Sequence, residues 1–220
     1  MIGNRDVDYQ KSKPLLILSH WDVDHYHFLL GFDDNTIKSI PVFIYRASIP
    51  NLTARKALGR FRLLNNKALI PIATVLPIAP KRSSMELVNL DLTGKGDILI
   101  QNAHKNRSRN KSGIGLTVRK KNTSVILSGD YDYSQISNFI LPILNYKCDH
   151  YLVVPHHGGK AGKFVYFNST KNLLKEAVIS VGTNPYKPPH PDRSYINDLT
   201  TKGFLIVRTD YLKNDHKINL

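Results

Sequence analysis

Leu15-Leu16-Ile17-Leu18-Ser19-His20-Trp21-Asp22-Val23-Asp24-His25 is an apolar run that ends in two imidazoles and two carboxylates within six residues. The run reads as a short buried strand, residues 15–18, that stops at Ser19. Two carboxylates this close repel each other when ionised, and desolvating them costs several kcal/mol more. A divalent cation removes that conflict, because His and Asp are its natural ligands. The alternative is a solvated, capped turn leading into a helix. In that helix His25, Phe28 and Leu29 share one face.

The same arrangement recurs downstream. Val125-Ile126-Leu127-Ser128-Gly129-Asp130 sets a carboxylate behind a glycine at the end of an apolar run. Leu152-Val153-Val154-Pro155-His156-His157-Gly158-Gly159 ends another in paired histidines. Ser180-Val181-Gly182-Thr183-Asn184-Pro185-Tyr186, followed by His190-Pro191, is the fourth. Open α/β architectures gather strand ends into one crevice, so four such signals in series point to one site.

Between these motifs the chain supplies short strands and helices. Strands are expected at residues 41–45, 68–76, 87–92, 97–101, 151–154, 178–181 and 205–208. Residues 116–119 and 124–127 form a hairpin pair around the turn-prone 120–122. Residues 53–64 read as an amphipathic helix, with Ala57, Leu58, Phe61 and Leu64 inward and Arg55, Lys56, Arg60 and Arg62 outward. Further helices are expected at 133–144, 170–176 and 194–202. This mixture implies an α/β fold in which helices cover packed sheets.

Composition bounds the rest. The 220 residues, 41% hydrophobic and 22% charged, suit one soluble domain over 1–220, with 1–13 a short polar N-terminal segment. No stretch approaches the roughly 18 apolar residues of a membrane span. The N-terminus has no apolar signal-peptide centre. The single cysteine, Cys148, cannot form an internal disulfide and reads as a small residue at a strand start, so a cytoplasmic location is the default. The net charge of +14 attracts polyanions, although richness in Lys, Asn and Ile together also raises basicity by composition alone. Lys105, Arg107, Arg109, Lys111, Arg119, Lys120 and Lys121 fall within seventeen residues that contain no acidic side chain. Such a stretch suits a phosphate backbone tracking along the rim of a cleft. Tyr131, Tyr133 and Tyr186 are candidates for base stacking or for packing.

The order HxDxDH, Ser-Gly-Asp130, Pro-His156-His157-Gly and Asn184…Tyr186…His190-Pro191 resembles the metallo-β-lactamase superfamily, and within it the ComEC-type competence nuclease branch. The resemblance runs over residues 15–207. It implies a four-layer αββα sandwich that lacks some N-terminal strands, because only fourteen residues precede Leu15. A partner chain or a missing N-terminal segment would complete the sheet.

The resemblance implies two divalent metal ions, Mn²⁺ or Zn²⁺ with Mg²⁺ also admitted. His20 and Asp22 would hold the first, Asp24, His25 and His190 the second, and Asp130 would bridge both. One of His156 and His157 would face the site as ligand, phosphate contact or proton donor. Asp24, Asp130, His156 and His157 are thus the expected catalytic set. Asn110, where the superfamily usually has a third histidine, is expected to contact substrate together with Lys111, Ser112 and Tyr186. His104 lies six residues too early for that place. Loss of this histidine shifts the ligand set toward oxygen, which favours Mn²⁺ or Mg²⁺.

The expected activity is hydrolysis by a metal-bound hydroxide, most readily of a phosphodiester in DNA or RNA. The alternatives are a hydrolase of a small ester, thioester or lactone on the same site, and a non-catalytic binding module that retains the fold.

Overall fold

The computed structural model describes residues 15–49, 51–72, 88–91, 97–102, 113–140, 148–164, 174–181, 190–211 and 216–218. Within them the chain is mixed α/β with two sheets. The first sheet has three parallel strands, β1 (Leu15–Ile17), β2 (Val42–Arg46) and β3 (Leu69–Ile72), in the order β1-β2-β3. The second has seven strands: β4 (Val88–Asp91), β5 (Asp97–Asn102), β6 (Ile114–Lys120), β7 (Thr123–Leu127), β8 (Asp149–Val153), β9 (Leu174–Ile179) and β10 (Leu205–Arg208). Their order is β10-β9-β8-β7-β6-β5-β4. Strands β7 to β10 are mutually parallel, whereas β4 to β7 pair antiparallel.

Three apolar clusters show how the sheets are covered. Ile44, Ile98 and Ile114, with Leu15, Ile17, Val42, Leu116 and Val118 against them, come from both sheets and fill the space between them. Phe43 and Tyr45 point to the other side of the first sheet. There they pack with Leu18, Trp21, Tyr26, Leu29, Ile37, Ala54, Leu58 and Phe61. On the far side of the seven-stranded sheet, Ile126, Leu152, Val154, Ala177 and Ile179 meet Tyr133, Ile136, Ile140, Phe164, Leu199 and Phe204. The two-residue alternation of each strand produces this division, since neighbouring side chains in a strand face opposite ways.

The helices are α1 (Val23–Tyr26), α2 (Asp34–Ser39), α3 (Leu52–Asn65), α4 (Tyr133–Gln135) and α5 (Arg193–Thr201). Helix α3 buries Ala54, Ala57, Leu58 and Phe61 as its periodicity requires, and the Asn51 side chain caps it by accepting from Ala54 N at 2.8 Å. Arg60 on α3 reaches back to donate to Asp34 at 2.5 Å and to the Phe32 carbonyl at 2.6 Å.

Several sequence expectations are corrected. The segment after the histidine-rich loop is one α-turn followed by a 3-10 turn over His27–Gly31. The tighter winding puts Tyr26 and Leu29 inward, three residues apart, and leaves Phe28 at the surface. The helix expected over 170–176 is contradicted at Leu174, Lys175 and Glu176, which begin β9; residues 170–173 lie outside the described residues. Pairing with β8 on one side and β10 on the other overrides the helical propensity of that Leu-Lys-Glu run. Helix α2 was not expected, because its six residues carry a single buried apolar side chain, Ile37. Asp33 starts it by accepting from Thr36 N at 2.7 Å. Cys148 is buried immediately before β8, as expected of a small strand-start residue. No helix among the described residues is long and apolar enough to cross a membrane.

Candidate metal centre

The carboxyl ends of β1, β7 and β8 deliver the candidate residues to one place. Beyond β1 the loop is anchored by Trp21, whose indole is buried and donates to the Arg46 carbonyl at 2.7 Å. Ser19 O accepts from Ile114 N at 2.7 Å, which ties the end of β1 to the start of β6 in the other sheet. Asp22 occupies the N-cap position of α1 but makes no side-chain capping bond. A simple capped turn would use that carboxylate to satisfy α1 amides. Here it stands 3.7 Å from His20 Nε2 instead.

Asp130 follows β7 through the turn Ser128-Gly129. Ser128 is fully buried and donates to the Val153 carbonyl at 3.0 Å, pinning the turn to β8. Gly129 has φ +55° and lies so near Ser19 that an added Cβ would stand 3.1 Å from Ser19 Cβ, so glycine is needed for both reasons.

Asp130 is the centre of the arrangement. Its Oδ2 lies 3.2 Å from His20 Nε2 and 3.5 Å from His156 Nδ1, and its Oδ1 lies 3.5 Å from His25 Nε2. His25 Nε2 is also 3.7 Å from Asp24 Oδ2. Although these distances are short, the buried Nε2 atoms of His20 and His25 have no partner in hydrogen-bond geometry. Donor atoms that crowd together without directed bonds are what a cation requires. Ligands about 2.1 Å from one ion stand roughly 3–3.7 Å apart at ordinary coordination angles. Among the described residues two sets of donor atoms gather within 4.8 Å of one another: His20, His25 and Asp130, and Asp24, His25 and His157.

Electrostatics supports an ionised Asp130. Burial pushes its carboxyl up, but the imidazoles of His20, His25 and His156 outweigh burial and hold it well below the usual carboxylate range. Burial pulls the His25 imidazole down, and the carboxylates of Asp130, Asp24 and Asp22 reverse that and leave it raised.

The paired histidines follow β8 in a short turn over Pro155–Gly158. Both have left-handed backbones, with φ +53° at His156 and +52° at His157. Consecutive non-glycine residues in that region cost of order 1–2 kcal/mol each, and such strain clusters at functional sites. His157 Nδ1 lies 2.7 Å from the Ser180 carbonyl. A carbonyl only accepts, so Nδ1 carries the proton and Nε2 of the neutral ring is left with its lone pair. His157 Nε2 is thereby free to accept a cation or a proton, and His157 belongs to one of the convergent sets. His156, by contrast, meets Asp130 but stands outside both convergent sets.

His190 is brought to the same turn without joining either set. An added Cβ on Gly159 would stand 2.7 Å from His190 Cε1 and 2.8 Å from Nε2, so this ring lies flush against the glycine. Asp22 likewise lies beside His20 and outside the two sets. Asn110, Lys111, Ser112 and Tyr186, the expected substrate contacts, lie outside the described residues, as do His104, Lys105, Arg107 and Arg109.

Arg119, Lys120 and Lys121 are described, and for these three the expected place at the rim is corrected. They form the tip of the β6–β7 hairpin, where Lys120 pairs with Thr123, whereas Leu116 pairs with Leu127 at the site end. At about 3.3 Å per residue the tip stands on the order of 15 Å or more from Asp130, at the opposite end of the strands. Tyr131 and Tyr133 are both buried, which makes them packing residues rather than a stacking surface.

No family model matches this chain, and no curated protein matches it.

Proposed function

We propose that this chain is a metal-dependent hydrolase of the metallo-β-lactamase kind, built as a helix-sheet-sheet-helix sandwich, and that it cleaves phosphodiesters of nucleic acid. The observation that carries the reading is the Asp130 carboxylate, which presents one oxygen to His20 and the other to His25 while neither Nε2 makes a directed bond. The three apolar clusters, stacked in the order helices, three-stranded sheet, seven-stranded sheet, helices, support the architecture.

The two convergent sets share His25, and an imidazole nitrogen has one lone pair. A pair of cations is therefore best divided along Asp130. His20, with Asp22 beside it, would hold one, and Asp24, His25 and His157 would hold the other. Divalent ions held there would supply an acidified water and polarise a phosphoryl oxygen. Mixed nitrogen and oxygen donors suit Zn²⁺ and Mn²⁺, and a carboxylate-rich side also admits Mg²⁺. The chain's own part is to keep Asp130 ionised, to aim the imidazoles by their outer nitrogens, and to hold His156 against the Asp130 carboxylate. Lys160 directly follows the His-His-Gly-Gly turn and Arg193 lies three residues beyond His190; both are exposed, where they can meet a phosphate backbone.

The test is incubation of the purified chain with Mn²⁺, and separately Zn²⁺, against labelled single- and double-stranded DNA and bis-p-nitrophenyl phosphate. The expected result is cleavage abolished by chelator and by Asp130→Ala, with the fold of the variant retained by circular dichroism. Turnover confined to carboxyl esters, stoichiometric metal uptake without turnover, or a fully active Asp130→Ala protein would each overturn the phosphodiesterase reading.

A further inference from the structure

Two ligand imidazoles in this site are held by one side chain. Ser19 Oγ lies 3.1 Å from His20 Nδ1 and 3.1 Å from His25 Nδ1. The two rings are 3.9 Å apart between centroids and tilted by 45°, so they lean on one another above this hydroxyl. Their other nitrogens, both Nε2, face Asp130.

We propose that Ser19 is the positioning residue of the metal centre: its hydroxyl accepts from both Nδ1–H groups at once and thereby turns both Nε2 lone pairs inward. The inference rests on the metal-site reading above and adds to it the group that sets tautomer and ring orientation. A hydroxyl has two acceptor lone pairs and one proton. Accepting from His20 and His25 uses both lone pairs, and the proton then points away from the rings. No other arrangement of this hydroxyl leaves both Nε2 atoms unprotonated on neutral rings. If it donated to either Nδ1, that ring's proton would sit on Nε2 and face the cation position.

The seat of Ser19 is over-determined, as a positioning residue requires. Its carbonyl is fixed by Ile114 N, and its side chain fits against the bare Cα of Gly129. An added Cβ at Gly129 would come within 3.4 Å of the hydroxyl itself. Strand β1 delivers the hydroxyl, β6 holds its backbone, and the β7 turn closes over it. Partners that orient ligating histidines typically affect metal affinity by about 10- to 100-fold.

Zn²⁺ alone is titrated into the full chain in competition with a chromophoric chelator, comparing wild type, Ser19→Ala and Ser19→Thr. We expect Ser19→Ala to bind Zn²⁺ about 10- to 100-fold more weakly, and Ser19→Thr, which keeps the hydroxyl, to stay close to wild type. Long-range ¹⁵N–¹H spectra of the Zn²⁺-loaded wild type supply a readout that needs no variant. Both His20 and His25 should carry their protons on Nδ1. Equal affinity in Ser19→Ala, no rescue by threonine, or a bare Nδ1 on either ring would overturn the assignment of Ser19 while leaving the metal site standing. A wild-type chain that takes up no Zn²⁺ would remove both readings together.

Discussion

Gly158 and Gly159 make room for His190-Pro191 in different ways, and substituting alanine at each separates packing from site geometry. At Gly158 the φ is +81°, and an added Cβ would stand 2.5 Å from Pro191 Cβ, 3.2 Å from Pro191 Cα and 3.2 Å from Ile179 Cγ2. Carbon contacts settle near 3.5–4.0 Å, so a half-buried, ring-locked neighbour must retreat by roughly 1 Å. Overpacking of this kind costs about 1–3 kcal/mol, and the left-handed backbone adds about 1–2 kcal/mol for alanine. Gly158→Ala should therefore destabilise by about 2–5 kcal/mol, equivalent to a fall in Tm of roughly 4–20 °C for a chain of this size.

Gly159 has φ −76°, which alanine adopts without strain. Its added Cβ would meet mainly the His190 ring, which can swing aside, although His156 O is also only 3.0 Å away. Gly159→Ala should cost less than Gly158→Ala, and the cost should shrink by about 1 kcal/mol in a His190→Ala background, within the usual range for contacting residues. The cost of Gly158→Ala should not shrink, because its neighbours are Pro191 and Ile179. Urea denaturation of each single variant and of the double variants with His190→Ala measures this cycle. A Gly158→Ala protein as stable as wild type, or a Gly159→Ala cost indifferent to the His190 ring, would refute the packing argument.

Three further outcomes follow from the structure. The amide of Thr36 holds the Asp33 carboxyl below its ordinary value of 3.8, so the contribution of this cap is complete above that pH and is lost as pH falls through the lower folded value. Asp33→Asn keeps a capping oxygen that does not titrate. The stability difference between wild type and Asp33→Asn should change below about pH 4 and stay constant above it; melts from pH 2 to 7 decide this. Replacing Arg119, Lys120 and Lys121 together by alanine should leave DNA cleavage nearly unchanged, because the hairpin tip stands at the far end of the strands from Asp130. Lys160→Ala with Arg193→Ala should weaken binding and lower the log–log salt slope by about 0.7–0.9 for each phosphate that is no longer neutralised, measured by fluorescence anisotropy at several ionic strengths.

The strand-end motifs were legible because each is local. An apolar run followed by His20 to His25, by Ser-Gly-Asp130 or by the His156-His157 pair places its polar residues at a strand terminus whatever the partners are. Helix α3 was legible for a related reason, its buried side chains repeating at the helical period. Leu174 to Glu176 was misread because its state depends on β8 and β10 lying on either side. The Arg119 to Lys121 end of the basic stretch was misread because nearness in sequence was taken for nearness in space, and the antiparallel hairpin carries these three residues away from Asp130.

Composition and spacing thus determined the α/β class and the order of the strand-end signals. Tertiary structure decided which of them meet. Which nitrogen of His157 keeps its lone pair depends on the Ser180 carbonyl, an acceptor just beyond the next strand. Whether His20 and His25 face the same carboxylate depends on Ser19 and Gly129 touching across two sheets. Orientation of an imidazole is set by what its outer nitrogen meets, and that partner is supplied by another part of the chain.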